Sequence, residues 1–191
     1  MLLKDKEIVI RNATENDVAQ LCAWWADGKV MAHAGFPNGV QTDPDWLRKK
    51  IAQCADEIEQ RLILEIGGVR VGEMSYSLAE EPAVFMDSAA TGREGRKPTH
   101  TAEIGIKICD FSYQNRGYGT RALRLLLRAL FDQVGAEKIK LDTNLNNVRA
   151  QHVYENLGFC QTRVVPNAFT DQLGVPQTAL EYELIRENFI E

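Results

Sequence analysis

The chain has no long apolar run. Its first residues, Met-Leu-Leu-Lys-Asp-Lys-Glu, lack the apolar stretch of a secretory signal. The most apolar segment, residues 122–131, is broken by Arg124 and Arg128. Nothing reaches the roughly 20 apolar residues a membrane-spanning helix needs, so no membrane partner is expected. Basic charge is also scarce. Lys and Arg number 22 against 27 Asp and Glu, a net charge of −5, which is the wrong sign for general affinity to nucleic acid. It is compatible with a cationic acceptor such as a polyamine or aminoglycoside. Cys22, Cys54, Cys109 and Cys160 are scattered, with no Cys-x-x-Cys pair. They read as reduced thiols of a cytoplasmic protein. His33, His100 and His152 show no metal-ligand spacing, so no metal is expected. There is no internal repeat. Residues 1–191 are of a length for one domain.

What the chain does carry is concentrated in its second half. Ile104, Ile106 and Ile108 alternate with Gly105, Lys107 and Cys109, which is strand periodicity. Residues 114–119 then read Gln-Asn-Arg-Gly-Tyr-Gly. After them Leu123, Leu126, Leu127, Leu130, Phe131 and Val134 recur at helical spacing, and Gly135 ends the run. A glycine turn opening a helix leaves backbone N–H groups without partners at the positive end of the dipole. That makes an anion site. Gly117 and Gly119 permit close backbone approach, and Arg116 can add a charge-assisted bond.

Three phosphate readings compete. A Walker loop needs a Gly-Lys-Ser/Thr ending that is missing here. A dinucleotide fingerprint would use Ala122 in place of the third glycine and Asp142 as the ribose acid. The third reading adds residues 144–159. Ala150, Val153, Tyr154 and Leu157 fall on one face of a short helix, which Asn146 or Asn147 can cap and Gly158 can close. Gln114, Gly117 and Gly119, followed by Asn147, Ala150, Tyr154, Gly158 and Phe159, resemble the paired motifs of the GCN5-related N-acetyltransferase (GNAT) superfamily. The flavour is that of its ribosomal-protein, spermidine and aminoglycoside 6′-acetylating branch.

The resemblance implies an acyl-CoA N-acyltransferase fold. This is a mixed α/β (α+β) architecture with a mostly antiparallel central sheet flanked by helices and one strand pair splayed to hold CoA. It implies acetyl transfer from acetyl-CoA to a primary amine of a small molecule or peptide, by direct attack in a ternary complex. The pyrophosphate would lie on Gln114, Asn115, Arg116, Gly117, Tyr118, Gly119 and Thr120. The pantetheine arm would pass Asn147, Ala150 and Tyr154 and pair with the strand carrying Ile106 and Ile108. A backbone N–H at Ile106 or a neighbour would polarise the acetyl carbonyl. Tyr154 would protonate the departing thiolate, a task suited to a phenol that keeps its proton at neutral pH.

For the base, Glu103 shares a strand face with Gly105 and Lys107, and Glu73 on the preceding strand is the runner-up. A water-relayed proton is a third possibility. In the first half, Ile8 and Ile10 mark a strand, Thr14 and Asp17 resemble a capping box, and Val18, Leu21, Cys22 and Trp25 make a helical face. Residues 26–42 read as an irregular loop, and a second helix starts near Pro44. By resemblance, Trp24, His33, Phe36 and Trp46 are candidate acceptor walls, with Glu73 and Glu103 beside them. The alternative for the tryptophans is partial burial in the core. Residues 79–100 read as a loop insertion where a tight hairpin is expected. Leu180, Tyr182 and Leu184 mark a closing strand after a turn at 171–174. A non-catalytic acyl-CoA-binding module and a homodimer built on a sheet edge both remain open.

Overall fold

The computed structural model describes residues 1–53, 59–81 and 99–191. Eight strands form one sheet in the order β1-β2-β3-β4-β5-β6-β8-β7. They are β1 (Leu2–Asp5), β2 (Ile8–Asn12), β3 (Glu59–Ile66), β4 (Val69–Glu81), β5 (Thr99–Ile108), β6 (Lys138–Asn144), β7 (Cys160–Thr170) and β8 (Pro176–Ile185). The helices are α1 (Val18–Ala26), α2 (Gly28–Met31), α3 (Pro44–Gln53), α4 (Tyr118–Ala129) and α5 (Val148–Asn156). Among the described residues no helix is long and apolar enough to cross a membrane.

Both sheet faces are covered. On one face, Ile8, Ile10, Leu62, Leu64, Met74 and Ile104 meet the buried stripe of α4, namely Ala122, Leu123, Leu126 and Leu127. Tyr154 and Leu157 of α5 join the same core. On the other face, Val18, Leu21 and Trp24 of α1, Leu47 of α3, Ile63 and Cys109 form a second cluster. β3 therefore contributes Leu62 and Leu64 to one core and Ile63 to the other, as the period of two along a strand requires.

The local punctuation follows the sequence. The Asp17 carboxylate accepts from the Thr14 N–H at 2.8 Å, closing the capping box ahead of α1. Pro44 opens α3. The helical run of α4 continues as a π-helical segment, Leu130–Val134, and stops at Gly135 with φ of +81°. Asn147 caps α5, its side chain accepting from the Ala150 N–H at 3.4 Å. Leu180, Tyr182 and Leu184 are buried on β8.

Several expectations are corrected. The 26–42 segment is not wholly irregular, because Asp27 caps the short α2 by accepting from the Lys29 N–H. β4 runs on to Glu81 and β5 starts at Thr99, so both strands extend into the expected 79–100 loop. Its Ala83–Met86 and Gly92–Pro98 stretches lie outside the described residues, as does Cys54. The dinucleotide reading fails on topology. A doubly wound fold needs a parallel sheet, whereas the one parallel pair among the described strands is β5 with β6.

That parallel pair is short. Thr101, Ala102 and Glu103 face Lys138, Ile139 and Lys140, and the pairing then ends. β5 continues from Ile104 to Ile108 on β4 alone, and β6 continues from Leu141 to Asn144 on β8 alone. The strands are splayed from Ile104 onward. No register shift interrupts β4 with β5; the irregularity nearby lies between β3 and β4, at Leu64/Glu65.

Candidate active site

The splay opens into a cleft of about 870 Å³. Its walls come from α2, β3, β4, β5, the 114–120 turn, β6, α5 and β7. Two ends differ in construction.

One end is backbone. Gly117 is the N-cap of α4 with φ of +79°, a left-handed conformation that disfavours side chains. The first intrahelical bond runs from the Arg121 N–H to the Gly117 carbonyl at 3.1 Å. The N–H groups of Gly117, Tyr118, Gly119 and Thr120 thus have no acceptor within the helix. A Cβ on Gly119 would stand 3.3 Å from Ile108 Cδ1, so the turn rests close on β5. Gln114 ties it there, its Nε2 donating to the Ile108 carbonyl at 2.8 Å. Arg149 of α5 donates to Gln114 Oε1 at 2.8 Å and to Asn115 Oδ1 at 3.3 Å, bracing turn to helix. Free amides at a helix start, an unpaired strand edge, and the small Ala150 on the facing wall fit a long ligand that ends in a pyrophosphate.

The other end is built from side chains. Glu73 is buried, with 2% exposure, on β4. Its Oε1 accepts from Trp25 Nε1 at 2.8 Å and from Lys107 Nζ at 3.1 Å, and its Oε2 accepts from Arg61 Nη1 at 2.6 Å. The Arg61 guanidinium lies 4.8 Å over the Trp25 ring. Burial pushes the Glu73 carboxyl up, but Lys107, Arg61 and the Trp25 hydrogen bond outweigh it and hold the group below its ordinary range. Lys29 and His33 complete this end.

Tyr154 and Asp142 stand on the α5–β6 side of the cleft. The Tyr154 ring packs 5.9 Å from both Phe159 and Tyr182. Burial, with help from the Asp142 charge, pushes its phenol up to about 12, so it is protonated throughout the neutral range. Asp142, exposed toward the cleft, is also raised, by partial desolvation and by the neighbouring Glu181 charge. Cys109 is no nucleophile: burial, then the Glu73 charge, pushes its thiol up to about 12.

The cleft gathers most of the residues singled out from sequence. Ile106, Ile108, Gln114, Asn115, Gly117, Gly119, Thr120, Asn147, Ala150, Tyr154, His33 and Glu73 all line it. Others stand elsewhere. Arg116 turns away from the wall to lie over the rings of Tyr113 and Tyr118, at 5.9 and 5.6 Å, and Tyr118 is outside the lining with it. Trp24 is 8% exposed and packs in the second core, so it is no acceptor wall. Phe36 and Trp46 are exposed and lie off the cleft. Glu103 keeps the strand face of Gly105 and Lys107 but is exposed at the closed end of the β5–β6 seam, outside the lining. Sequence reasoning missed Trp25, Arg61 and Lys107 as a group around Glu73, and Phe169 as a wall.

An antiparallel sheet opened beside one parallel pair, with free helix-start N–H groups at the opening, is the arrangement that the resemblance to CoA-using acyltransferases implies. The comparisons make this specific. Residues 7–160 match the family model "Acetyltransferase (GNAT) domain". The chain belongs to the GNAT acetyltransferase family, and it is an N-acetyltransferase of the class that draws on acetyl-CoA. It is 25% identical over 185 residues to the aminoglycoside N(6′)-acetyltransferase type 1 of Klebsiella pneumoniae, covering 94% of this chain and 87% of that one. Its fold is similar to that of spermidine N-acetyltransferase from Vibrio cholerae in complex with CoA and spermine, with TM-score 0.76, 17% identity, and 98% and 100% of the two chains covered. It is also similar to the RimL ribosomal L7/L12 α-N-protein acetyltransferase, with TM-score 0.73, 16% identity, and 97% and 94% covered.

Proposed function

We propose that this protein moves the acetyl group of acetyl-CoA to a primary amine by direct attack, with both substrates held in the one cleft. The observation that carries this reading is the meeting of the α4 anion site, the unpaired Ile104–Ile108 edge and the Tyr154 phenol in a single cleft. CoA supplies the activated acetyl thioester. The 114–120 turn binds its phosphates, and the β5 edge and Ala150 align its arm. Tyr154 holds a proton for the thiol that leaves.

For the proton lost by the amine, the cleft favours Asp142 over both earlier candidates. Glu103 stands outside the lining, and Glu73 is committed to three donors with its basicity lowered. Asp142 lines the cleft on the Tyr154 side and is made more basic by its surroundings. The acetyl donor and the amine thus meet between a group that keeps its proton and one that can take one.

The test is calorimetric titration with CoA, acetyl-CoA and NAD, followed by thiol release on a panel of amines. Saturable CoA binding and turnover that falls in Asp142→Asn support the reading. CoA binding without turnover on any amine replaces it with a non-catalytic acyl-CoA module. A folded sample that ignores CoA removes it.

A further inference from the structure

The acceptor end of the cleft is cationic, although the chain as a whole is acidic. Lys29, Arg61 and Lys107 line it, and Glu73 is the acid among them. Glu73 is fully engaged: both of its oxygens accept from Arg61, Lys107 and Trp25, and its side chain is 3% exposed. It has no face left for a substrate ammonium. The cations are different. The Arg61 and Lys107 side chains keep 28% and 34% exposure, and each spends one donor on Glu73. A guanidinium carries five N–H donors and an ammonium three. The Arg61 guanidinium lies 4.8 Å from the centre of the Trp25 ring, which helps hold a fork that can pair with a carboxylate. Lys29, exposed on α2, adds a third positive charge with no acid paired to it among the described residues.

Across the cleft, Asp142 sits with Tyr154. The two walls carry opposite character, cations on the β3–β5 side and a carboxylate on β6. A molecule lying across the cleft meets both. Lys107 is two residues along β5 from Gly105 on the same strand face, about 7 Å at strand rise, and opposite to the face of Ile106 and Ile108, so it is strand face that sets the cations apart from the α4 turn.

We propose that the acceptor is an amine carrying an acidic group a short distance away, with that acid received by Arg61, Lys107 and Lys29. Amino acids and the N-termini of acidic peptides share this chemistry. A polycation does not, because it would set ammonium groups against three cations with Glu73 already spent. The proposal rests on the acetyl-transfer reading above but makes a claim about binding that stands apart from turnover.

The experiment compares glutamate, a short peptide beginning with glutamate, glutamine amide as the neutral isostere, and spermidine. Each is measured twice, by thiol release at fixed acetyl-CoA and by calorimetric binding in the presence of CoA. The acidic amines are expected to exceed glutamine amide by about tenfold or more, the scale of one charge-assisted hydrogen bond, with spermidine below both. Lys29→Met and Lys107→Met should each shrink that preference while the Kd for CoA stays unchanged. Lys29 is exposed and outside the Glu73 network, so its variant tests the idea even where Lys107→Met fails to fold. The better of the free amino acid and the peptide identifies the source. Acid-selective binding without turnover upholds the proposal and sinks the acetyl-transfer reading. Equal use of glutamate and glutamine amide, preference for spermidine, or a preference untouched in both lysine variants overturns the proposal and leaves acetyl transfer standing.

Discussion

The two ends of the cleft are made of different materials. The phosphate end is main chain: free N–H groups at the start of α4, a glycine at positive φ, and a strand edge without a partner. The acceptor end is side chain: a buried carboxylate clasped by an arginine, a lysine and a tryptophan from β3, β5 and α1. On the proposed reading, backbone would recognise what is common to every cycle, a phosphate and a pantetheine arm, and side chains would recognise the amine. A wall of charges could then be rewritten one residue at a time without disturbing the turn at the start of α4.

Glu73→Ala gives the sharpest break between the two ends. It leaves Arg61 and Lys107 facing each other without their shared anion. The unfolding free energy should fall by about 3 kcal/mol, the low end for breaking a buried pair, because both cations can reach solvent. Urea melts measure this. CoA affinity should change by no more than about twofold, as expected of separate sites. An equal loss at both ends would show them to be one unit.

Tyr154→Phe comes next. Turnover should drop about 100-fold, the scale of a lost general acid, with CoA affinity held. Steady-state kinetics beside calorimetry separates the two. Unchanged turnover would take Tyr154 out of the reaction and leave it a packing residue between Phe159 and Tyr182.

Gly117→Val should act only on the backbone end. A branched side chain at positive φ costs roughly 1–2 kcal/mol; the turn relieves that strain by leaving the conformation that aims its N–H groups, and restoring it on binding lowers CoA affinity by about tenfold. The acceptor KM should stay where it was.

The smallest effect is an acid titration of the first-half frame. Burial would raise the Asp17 carboxyl, but hydrogen bonds from Arg11 and Thr14 hold it at about 2, against 3.8 ordinarily. A carboxyl with a lowered folded pKa contributes stability above its ordinary value and loses it as pH falls through the folded one. Amide exchange at α1 should therefore quicken between about pH 4 and pH 2, ahead of exchange at α4.

The backbone end was legible in the sequence because each of its parts is local. A period of two, then glycines, then a period near 3.6 lie within residues 104–135, and the Ala150–Leu157 face lies within one short helix. The acceptor end was not, because Trp25, Arg61, Glu73 and Lys107 meet only through strand register and the seating of α1. Trp24 follows the core alternative for a related reason. α1 is short, and its buried positions are Val18, Leu21 and Trp24, which leaves Trp25 half-buried beside that core with its Nε1 on Glu73. β7 escaped notice because it is an exposed edge strand containing Pro166, with no buried face to impose an alternation. Net charge is silent in the same way: an acidic total says nothing about a local cluster of cations.

Among the described residues, three pairs between β5 and β6 join the five-strand and three-strand parts of the sheet as a ladder. Beyond Glu103 the ladder has a rung-wide vacancy with main-chain groups along its sides. A donor that lay in it as a short extra strand would become a temporary piece of the architecture, adding rungs between two leaves that otherwise share three pairs and one apolar core. Rigidity would then rise and fall with each catalytic cycle, and the protein would be most fully assembled at the moment it has something to transfer.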